Sequence, residues 1–122
     1  MFTYPIISSL VIGLIALLHI YILVLEMFLW DKPAGLKAFG HSQEMASHSK
    51  VLAANQGLYN GFLAAGLCWG LYLGESGFAI NVFFLSCIVI AGIYGGLTAK
   101  FKIIYIQAVP AILALALLYI GL

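Results

Sequence analysis

The stretch IISSLVIGLIALLHIYILVLEMFLW, residues 6–30, indicates the class of this protein. It is long enough to cross a bilayer, because a transmembrane helix needs about 20 consecutive and predominantly apolar residues. It nevertheless carries a histidine, His19, and a carboxylate, Glu26. An ionisable side chain at membrane depth costs about 3 kcal/mol, so it normally faces a partner or an interior cavity. The stretch therefore predicts a membrane helix with one functional face.

The composition extends this prediction to the rest of the chain. Of its 122 residues, 65% are hydrophobic and 7% are charged, which is too little polar surface for a soluble domain of this length. Four apolar segments are long enough to span a membrane, at about 6–30, 51–73, 78–99 and 103–122. They lack the alternating pattern of barrel strands. We therefore expect an all-α fold in which residues 1–122 form one domain, a bundle of four transmembrane helices.

The lysines predict the orientation of this bundle. Lys32, Lys37 and Lys50 lie between the first and second predicted helices, and Lys100 and Lys102 lie between the third and fourth. Neither terminus, nor the turn between the second and third helices, contains Lys or Arg. Because basic loops stay in the cytoplasm, we expect both termini outside. The net charge of +1 argues against nucleic acid as a partner.

The second predicted helix has a small-residue face and a polar face. Steps of about 100° per residue separate the two sets. The first set is Ala53, Gly57, Gly61 and Ala64, and the second is Asn55, Gln56, Tyr59 and Asn60. Small residues let two helices approach closely in lipid. This face predicts a tight contact, either within one chain or between copies in a homo-oligomer.

Polar residues of the first two helices come to matching depths. Counting inward from the cytoplasmic ends uses a rise of about 1.5 Å per residue. The count places Glu26 level with Asn55 and Gln56, and His19 level with Tyr59 and Asn60. His19 and Glu26 are seven residues apart and so share one helix face. Together, the six residues predict a polar, cytoplasm-facing pocket in the membrane that binds a small or amphipathic ligand.

Each of these residue types suggests a role in the pocket. Glu26 would be the charge partner of the ligand or a general base, and His19 an orienting donor or a proton acceptor. Gln56 and Asn60 would fix the orientation of the ligand. These roles suit a binding protein or a small transporter. Two alternatives remain open. One is a membrane-embedded enzyme, and the other is a structural or regulatory subunit whose polar residues only join helices. The pattern assigns no catalytic residue and no cofactor, and the expected partners are the lipid bilayer, the ligand and further copies of the chain.

The connection between the first two helices holds a second group of candidate ligands. It contains HSQEMASHS, residues 41–49. In a helix, His41, Glu44 and His48 would share one face at a spacing compatible with a metal. Histidines in loops are usually solvated, so we expect no metal and treat this group as the less favoured interpretation.

Two resemblances add to these predictions. From LHIYILVLEMFLW (residues 18–30) through NQGLYNGFLAAG (residues 55–66), the chain resembles a family of small bacterial four-helix integral membrane proteins of unknown function. This implies a multi-pass protein of the bacterial inner, or cytoplasmic, membrane. More weakly, the chain is similar to the membrane-associated eicosanoid and glutathione metabolism superfamily. The shared features are four predicted helices, a basic loop between the first two, and a second helix that bears asparagine. That similarity implies a trimeric enzyme with a site near the cytoplasm. This chain lacks arginine, on which glutathione recognition there relies, so glutathione is not the expected ligand.

Overall fold

A computed structural model describes residues 5–122, and all of the regular secondary structure in that range is helical. The helices are α1 (Ile6–Met27), α2 (Pro33–Phe39), α3 (Gln43–Tyr72), α4 (Phe78–Thr98) and α5 (Val109–Ile120). A 3₁₀ segment, Gly74–Gly77, precedes α4, and a π-helical segment, Ile104–Ala108, runs directly into α5. The predicted all-α class is confirmed. The predicted position of the N-terminus concerns residues 1–4, which lie outside the described range.

Two stretches of helix have the length and apolar composition of membrane-spanning segments. They are Ile6–Met27 and Gly74–Thr98. The helical run Ile104–Ile120 is apolar but shorter. Polar residues such as Gln56 and Asn60 lower the hydropathy of α3, which is not among the spans found in residues 5–122. By length and composition, therefore, two of the four predicted spans are supported.

The segment predicted as a loop between the first two helices is largely helical. Pro33 occupies the first turn of α2, where its fixed φ is favourable and its missing N–H costs nothing. Gly40 ends α2 with a φ of 66°, a left-handed conformation that glycine adopts without strain. The Ser42 hydroxyl then accepts a hydrogen bond from the Met45 amide at 3.1 Å, which caps the start of α3. The second predicted helix consequently starts at Gln43, about two turns earlier than expected.

The described chain forms two compact units, of which one is Leu17–Ala64. In this unit the end of α1 packs closely on α3. A Cβ added at Gly57 would lie 2.6 Å from Met27 Cγ and 3.1 Å from Glu26 Cβ. One added at Gly61 would lie 2.7 Å from a methyl group of Leu23. The predicted small-residue face therefore makes a tight contact, and the partner in this structure is α1 of the same chain.

The other unit comprises residues 5–16 and 65–122. The Ile7 amide donates to the Leu122 carbonyl at 2.9 Å, which joins the start of α1 to the end of α5. The π-helical segment ends just before Pro110. Because proline has no N–H to donate within a helix, an irregular turn at this point avoids an unsatisfied carbonyl. The helix is therefore irregular next to Pro110, where it takes the form of a π-helical segment.

The described residues include three buried polar side chains and many exposed large apolar ones. His19 and Ser8 are completely buried, and Asn81 is 5% exposed. Large apolar side chains are exposed along several helices instead. They include Leu10, Leu14, Leu17 and Phe28 of α1, Phe83, Ile90 and Leu97 of α4, and Ile112, Leu113 and Ile120 of α5. Apolar surface of this extent marks a contact with lipid or with another protein.

Candidate functional site

Two of the six residues predicted to line the pocket are in direct contact. The Asn60 side-chain amide donates a hydrogen bond from Nδ2 to Glu26 Oε1 at 2.7 Å. The same Nδ2 donates to the Gln56 carbonyl at 3.2 Å, which orients the amide toward α1. Both side chains are half-buried. A hydrogen bond to a carboxylate is stronger than one between neutral groups, so this pair joins the end of α1 firmly to the middle of α3.

The close approach at Gly57 makes this contact possible. Glu26 Cβ lies only 3.1 Å from the position that a Cβ of residue 57 would occupy. Asn60 follows Gly57 by three residues and is therefore its neighbour on the helix surface. A short side chain such as asparagine reaches the carboxylate only because the two helix backbones are this close. The glycine thus positions the polar pair.

The Glu26 carboxylate keeps capacity for another partner. Within residues 5–122, the structure describes one hydrogen bond to it, from Asn60 to Oε1. A carboxylate can accept about four hydrogen bonds through its two oxygens. The second oxygen is therefore available to a donor that a ligand would bring.

The other polar residues predicted on the same helix lie elsewhere. The side chains of Asn55, Gln56 and Tyr59 are exposed. Asn55 donates to the Val51 carbonyl of its own helix at 2.9 Å. The Tyr59 ring lies 6.1 Å from the Phe62 ring, also in α3. No hydrogen bond from these three side chains to Glu26 is described between residues 5 and 122. They belong to an exposed face of α3 rather than to the contact with α1.

His19 is buried but lies at a different level of α1. It is completely inaccessible. Seven residues separate it from Glu26, which is roughly 10 Å along the helix axis. The predicted depth match is also shifted, because Glu26 meets Asn60 and not Asn55. The prediction counted α3 from residue 51, whereas α3 begins at Gln43 and the intervening residues form helix. Asn60 lies beside Gly57 on the side of α3 that packs on α1, whereas Asn55 is exposed, so the face of α3 decided which residue meets Glu26.

The segment that follows Glu26 is held by aromatic and polar contacts. The Trp30 ring lies 4.8 Å from Phe39 and 4.3 Å from His41 between centroids. Trp30 Nε1 donates to the Ser49 hydroxyl at 3.0 Å. Asp31 forms an ion pair with Lys50 at 3.1 Å. The hydrogen bond from Lys50 lowers the pKa of the Asp31 carboxyl below its ordinary value. These contacts join the end of α1 to the start of α3.

The less favoured metal group is not assembled. His41 lies before α3, and its ring packs against Trp30 and Phe39. Glu44 and His48 are one turn apart on α3 and line an open cleft of about 410 Å³. In the part of the chain that the structure describes, no three His, Cys, Asp or Glu residues are placed to hold a metal ion. His41 is instead part of the aromatic cluster.

A second cleft involves residues to which the sequence pattern assigned no function. It has a volume of about 430 Å³ and is lined by residues of α1, the 3₁₀ segment, α4 and α5, among them Glu75 and Asn81. The sequence contained one signal that could have indicated this cleft, namely Asn81, a strongly polar residue within the apolar sequence of α4. A buried amide in such a helix indicates a specific interaction.

Comparisons with known proteins place the chain in a group of uncharacterised sequences. A family model described as "Protein of unknown function (DUF1304)" matches residues 13–119. The "Uncharacterized protein YpaA" of Lactococcus lactis subsp. lactis (strain IL1403) is 36% identical over 104 residues, covering 84% of this chain and 87% of that protein. No solved structure matches the chain. These findings bear out the resemblance to a family of unknown function and do not support the one to the eicosanoid and glutathione superfamily.

Proposed function

This chain belongs to the DUF1304 family of proteins of unknown function, and we propose that it is a bacterial inner-membrane protein that binds a small or amphipathic ligand through the Glu26 carboxylate. The proposed architecture is a bundle that crosses the membrane four times, with both termini outside. The lysine-bearing connections then lie in the cytoplasm. Glu26 and Asn60 would in that case lie near the cytoplasmic surface.

The exposed apolar side chains support a membrane location. Leu14 and Leu17 of α1 are 66% and 62% exposed, although each is surrounded by other apolar residues in the sequence. Moving such a side chain out of water contributes roughly 1.5–3 kcal/mol. Lipid would cover these residues along the whole length of α1. The buried His19 and the half-buried Glu26 fit the same environment, since polar groups in a membrane turn inward.

The single observation that supports ligand binding is the incomplete hydrogen bonding of Glu26. Its carboxylate receives one donor, Asn60, in a helix that is otherwise almost entirely apolar. A contact that only joins α1 to α3 needs no charge, because a glutamine would accept the same hydrogen bond. A ligand with a positive charge or a hydrogen-bond donor would complete the carboxylate. Binding fits better than transport, because residues 10–18 of α1 offer no polar side chain.

One observation favours a second candidate, a subunit of a larger assembly. Asn55, Gln56 and Tyr59 are exposed on α3. In the proposed orientation their polar side chains would face lipid, which is unfavourable unless a partner helix supplies hydrogen bonds. A second copy of the chain, or another membrane protein, would cover this face. Ligand binding at Glu26 and assembly through α3 use different residues and can therefore be tested separately.

Native mass spectrometry of protein extracted in its own lipid tests both candidates. We expect a bound mass on the wild type, its loss in Glu26→Gln, and unchanged helix content in that variant by circular dichroism. Glu26→Leu should lose both the bound mass and stability, because leucine accepts no hydrogen bond from Asn60. Glu44→Gln is the matched control, since Glu44 is an exposed carboxylate in the first turn of α3.

Two results would contradict ligand binding at Glu26. One is a bound mass that Glu26→Gln retains at the wild-type level. The other is that the wild type carries no bound mass while Glu26→Gln is as stable as the wild type. In that case the Glu26–Asn60 hydrogen bond would be a structural contact only. For assembly, the spectrum should show more than one copy of the chain. Asn55→Leu combined with Tyr59→Leu should then reduce the fraction of assembled protein without changing the bound mass.

A further inference from the structure

We propose that the cleft lined by Ser9, Glu75, Phe78, Asn81 and Leu118 binds a primary ammonium group. All five residues lie in the unit formed by residues 5–16 and 65–122. The cleft volume of about 430 Å³ is within the range of pockets that hold small organic ligands. This site uses neither Glu26 nor any other residue of the ligand site proposed above.

Asn81 is the first observation that points to a ligand. Its side chain is 5% exposed and lines the cleft. Its Oδ1 has no hydrogen-bond donor among residues 5–122. Buried amides are nearly always hydrogen-bonded, so an acceptor without a donor indicates a missing partner. In the structure Oδ1 faces Gly70 of α3. No described hydrogen bond fixes this amide, so a half-turn about χ2 that turns Oδ1 away from Gly70 and toward a ligand would break none.

Two further side chains of the described lining offer acceptors. Glu75 contributes an exposed carboxylate. The Ser9 hydroxyl already donates its proton to the Pro5 carbonyl at 2.7 Å, so it offers a ligand only lone pairs. With Asn81, these groups supply three kinds of acceptor. An ammonium group has three N–H donors and no acceptor, and it therefore matches this set.

The cleft lies beside both a helix start, Phe78 of α4, and a helix end in α5, so the charge of its side chains decides which ion it favours. Leu118 lies in the last turn of α5, where the carbonyl dipoles attract positive charge. The first amides of α1, which could have held an anion, are already used, because those of Ile7 and Ser8 both donate to the Leu122 carbonyl. The carboxylate of Glu75 adds a full negative charge. Glu75 is the one charged residue among the described lining, and its carboxylate favours a positively charged ligand.

The aromatic wall distinguishes an organic cation from a metal ion. Phe78 lines the cleft, and its ring is held edge-on by Tyr119 at 5.5 Å and 81°. A ring face attracts an ammonium group through a cation–π interaction. Ca²⁺ and Mg²⁺ need six or more oxygen ligands in a close shell. No group of three acidic or histidine residues suited to a metal is found in the described range.

The ammonium group could belong to a free small amine or to the ethanolamine headgroup of a lipid, and one experiment separates these sources. Full-length ¹⁵N-labelled protein is placed in phosphatidylcholine nanodiscs and titrated with ethanolamine, with ethylene glycol as the uncharged control. In a second arm, phosphatidylethanolamine replaces part of the phosphatidylcholine, whose trimethylammonium group has no N–H to donate. The side-chain amide signals of Asn81 and the backbone amides of residues 74–78 report binding.

Shifts with free ethanolamine, but not with ethylene glycol, would assign the site to a small amine. Shifts only in phosphatidylethanolamine nanodiscs would assign it to the lipid headgroup. In either arm, Glu75→Gln should weaken the response about tenfold, since the amide can still accept a hydrogen bond but no longer attracts the ammonium charge. Phe78→Leu should weaken it severalfold. Glu44→Gln, an exposed carboxylate of α3 that does not line this cleft, should respond as the wild type does.

Two results would overturn the proposal. The first is the absence of shifts in both arms. The second is a response that Glu75→Gln leaves unchanged, or that ethylene glycol reproduces. Glu75 is exposed, so its replacement by the isosteric amide should not impair folding, and circular dichroism of the variant verifies this.

Discussion

Replacing Gly57 with alanine tests whether close approach of α1 and α3 positions the Glu26–Asn60 pair. The new Cβ would lie 2.6 Å from Met27 Cγ and 3.1 Å from Glu26 Cβ. Met27 can move, because its side chain is flexible. Glu26 Cβ is next to the backbone, and relaxing 3.1 Å to an ordinary contact of about 3.8 Å moves it by ~0.7 Å.

The same shift would weaken the hydrogen bond between the helices. A displacement of ~0.7 Å would lengthen the 2.7 Å contact between Asn60 Nδ2 and Glu26 Oε1 to about 3.4 Å, near the limit for a hydrogen bond. Losing a hydrogen bond to a charged group costs about 1.5–3 kcal/mol, and the higher helix propensity of alanine returns up to about 1 kcal/mol. We expect Gly57→Ala to reduce the free energy of unfolding by about 1–2 kcal/mol, and Gly57→Leu to reduce it further.

Unfolding in mixed detergent micelles, followed by circular dichroism, measures this change. Gly13→Ala is the matched control, because a Cβ at Gly13 in α1 meets no atom within 4 Å. It should be neutral or stabilising by up to about 1 kcal/mol. Leu58→Ala, at an exposed position beside Gly57, should also have a small effect. Equal stability of Gly57→Ala and Gly13→Ala would refute the close-contact explanation, as would an unchanged Asn60 amide signal in Gly57→Ala.

Three further predictions concern topology, the carboxylate and the ion pair. In a background of Cys68→Ala and Cys87→Ala, single cysteines at residues 32–50 and 100–102 should react from the cytoplasm and Glu75→Cys from the outside; the opposite pattern would invert the orientation. Glu26→Gln should change the free energy of unfolding by less than about 1 kcal/mol, because the amide still accepts from Asn60; a larger loss would show that the charge itself stabilises the fold. The pKa of Asp31 is lowered in the folded protein, so its ion pair with Lys50 stabilises the fold at any pH above the unfolded-state pKa of about 3.9. This stabilisation is lost as the pH falls through the lower pKa that Asp31 has in the folded state. Asp31→Asn should therefore flatten the pH dependence of stability in that range, and an identical profile would contradict the pairing.

Local sequence determined α1, α4 and the contact face of α3, whereas α2 and the start of α3 were missed. α1 and α4 were predictable within a few residues, since each is a long apolar run bounded by residues that interrupt it. The small-residue face with Gly57 was predictable from the helical period, and Pro110 indicated an irregular turn. The all-α class followed from composition. These features depend on residues close together in the chain, which is why reading the sequence suffices for them.

Tertiary structure alone decided which polar residues meet. Glu26 contacts Asn60 rather than Asn55, because α3 packs on α1 through the side that carries Gly57 and Asn60, whereas Asn55 is exposed. The cleft at Asn81 likewise gathers residues from distant parts of the chain. A change of one helical turn in register moves a side chain by about 5.4 Å, which exceeds the reach of a hydrogen bond. Residue spacing within one helix carries no information about the register between two helices, so these partners follow only from the packed structure.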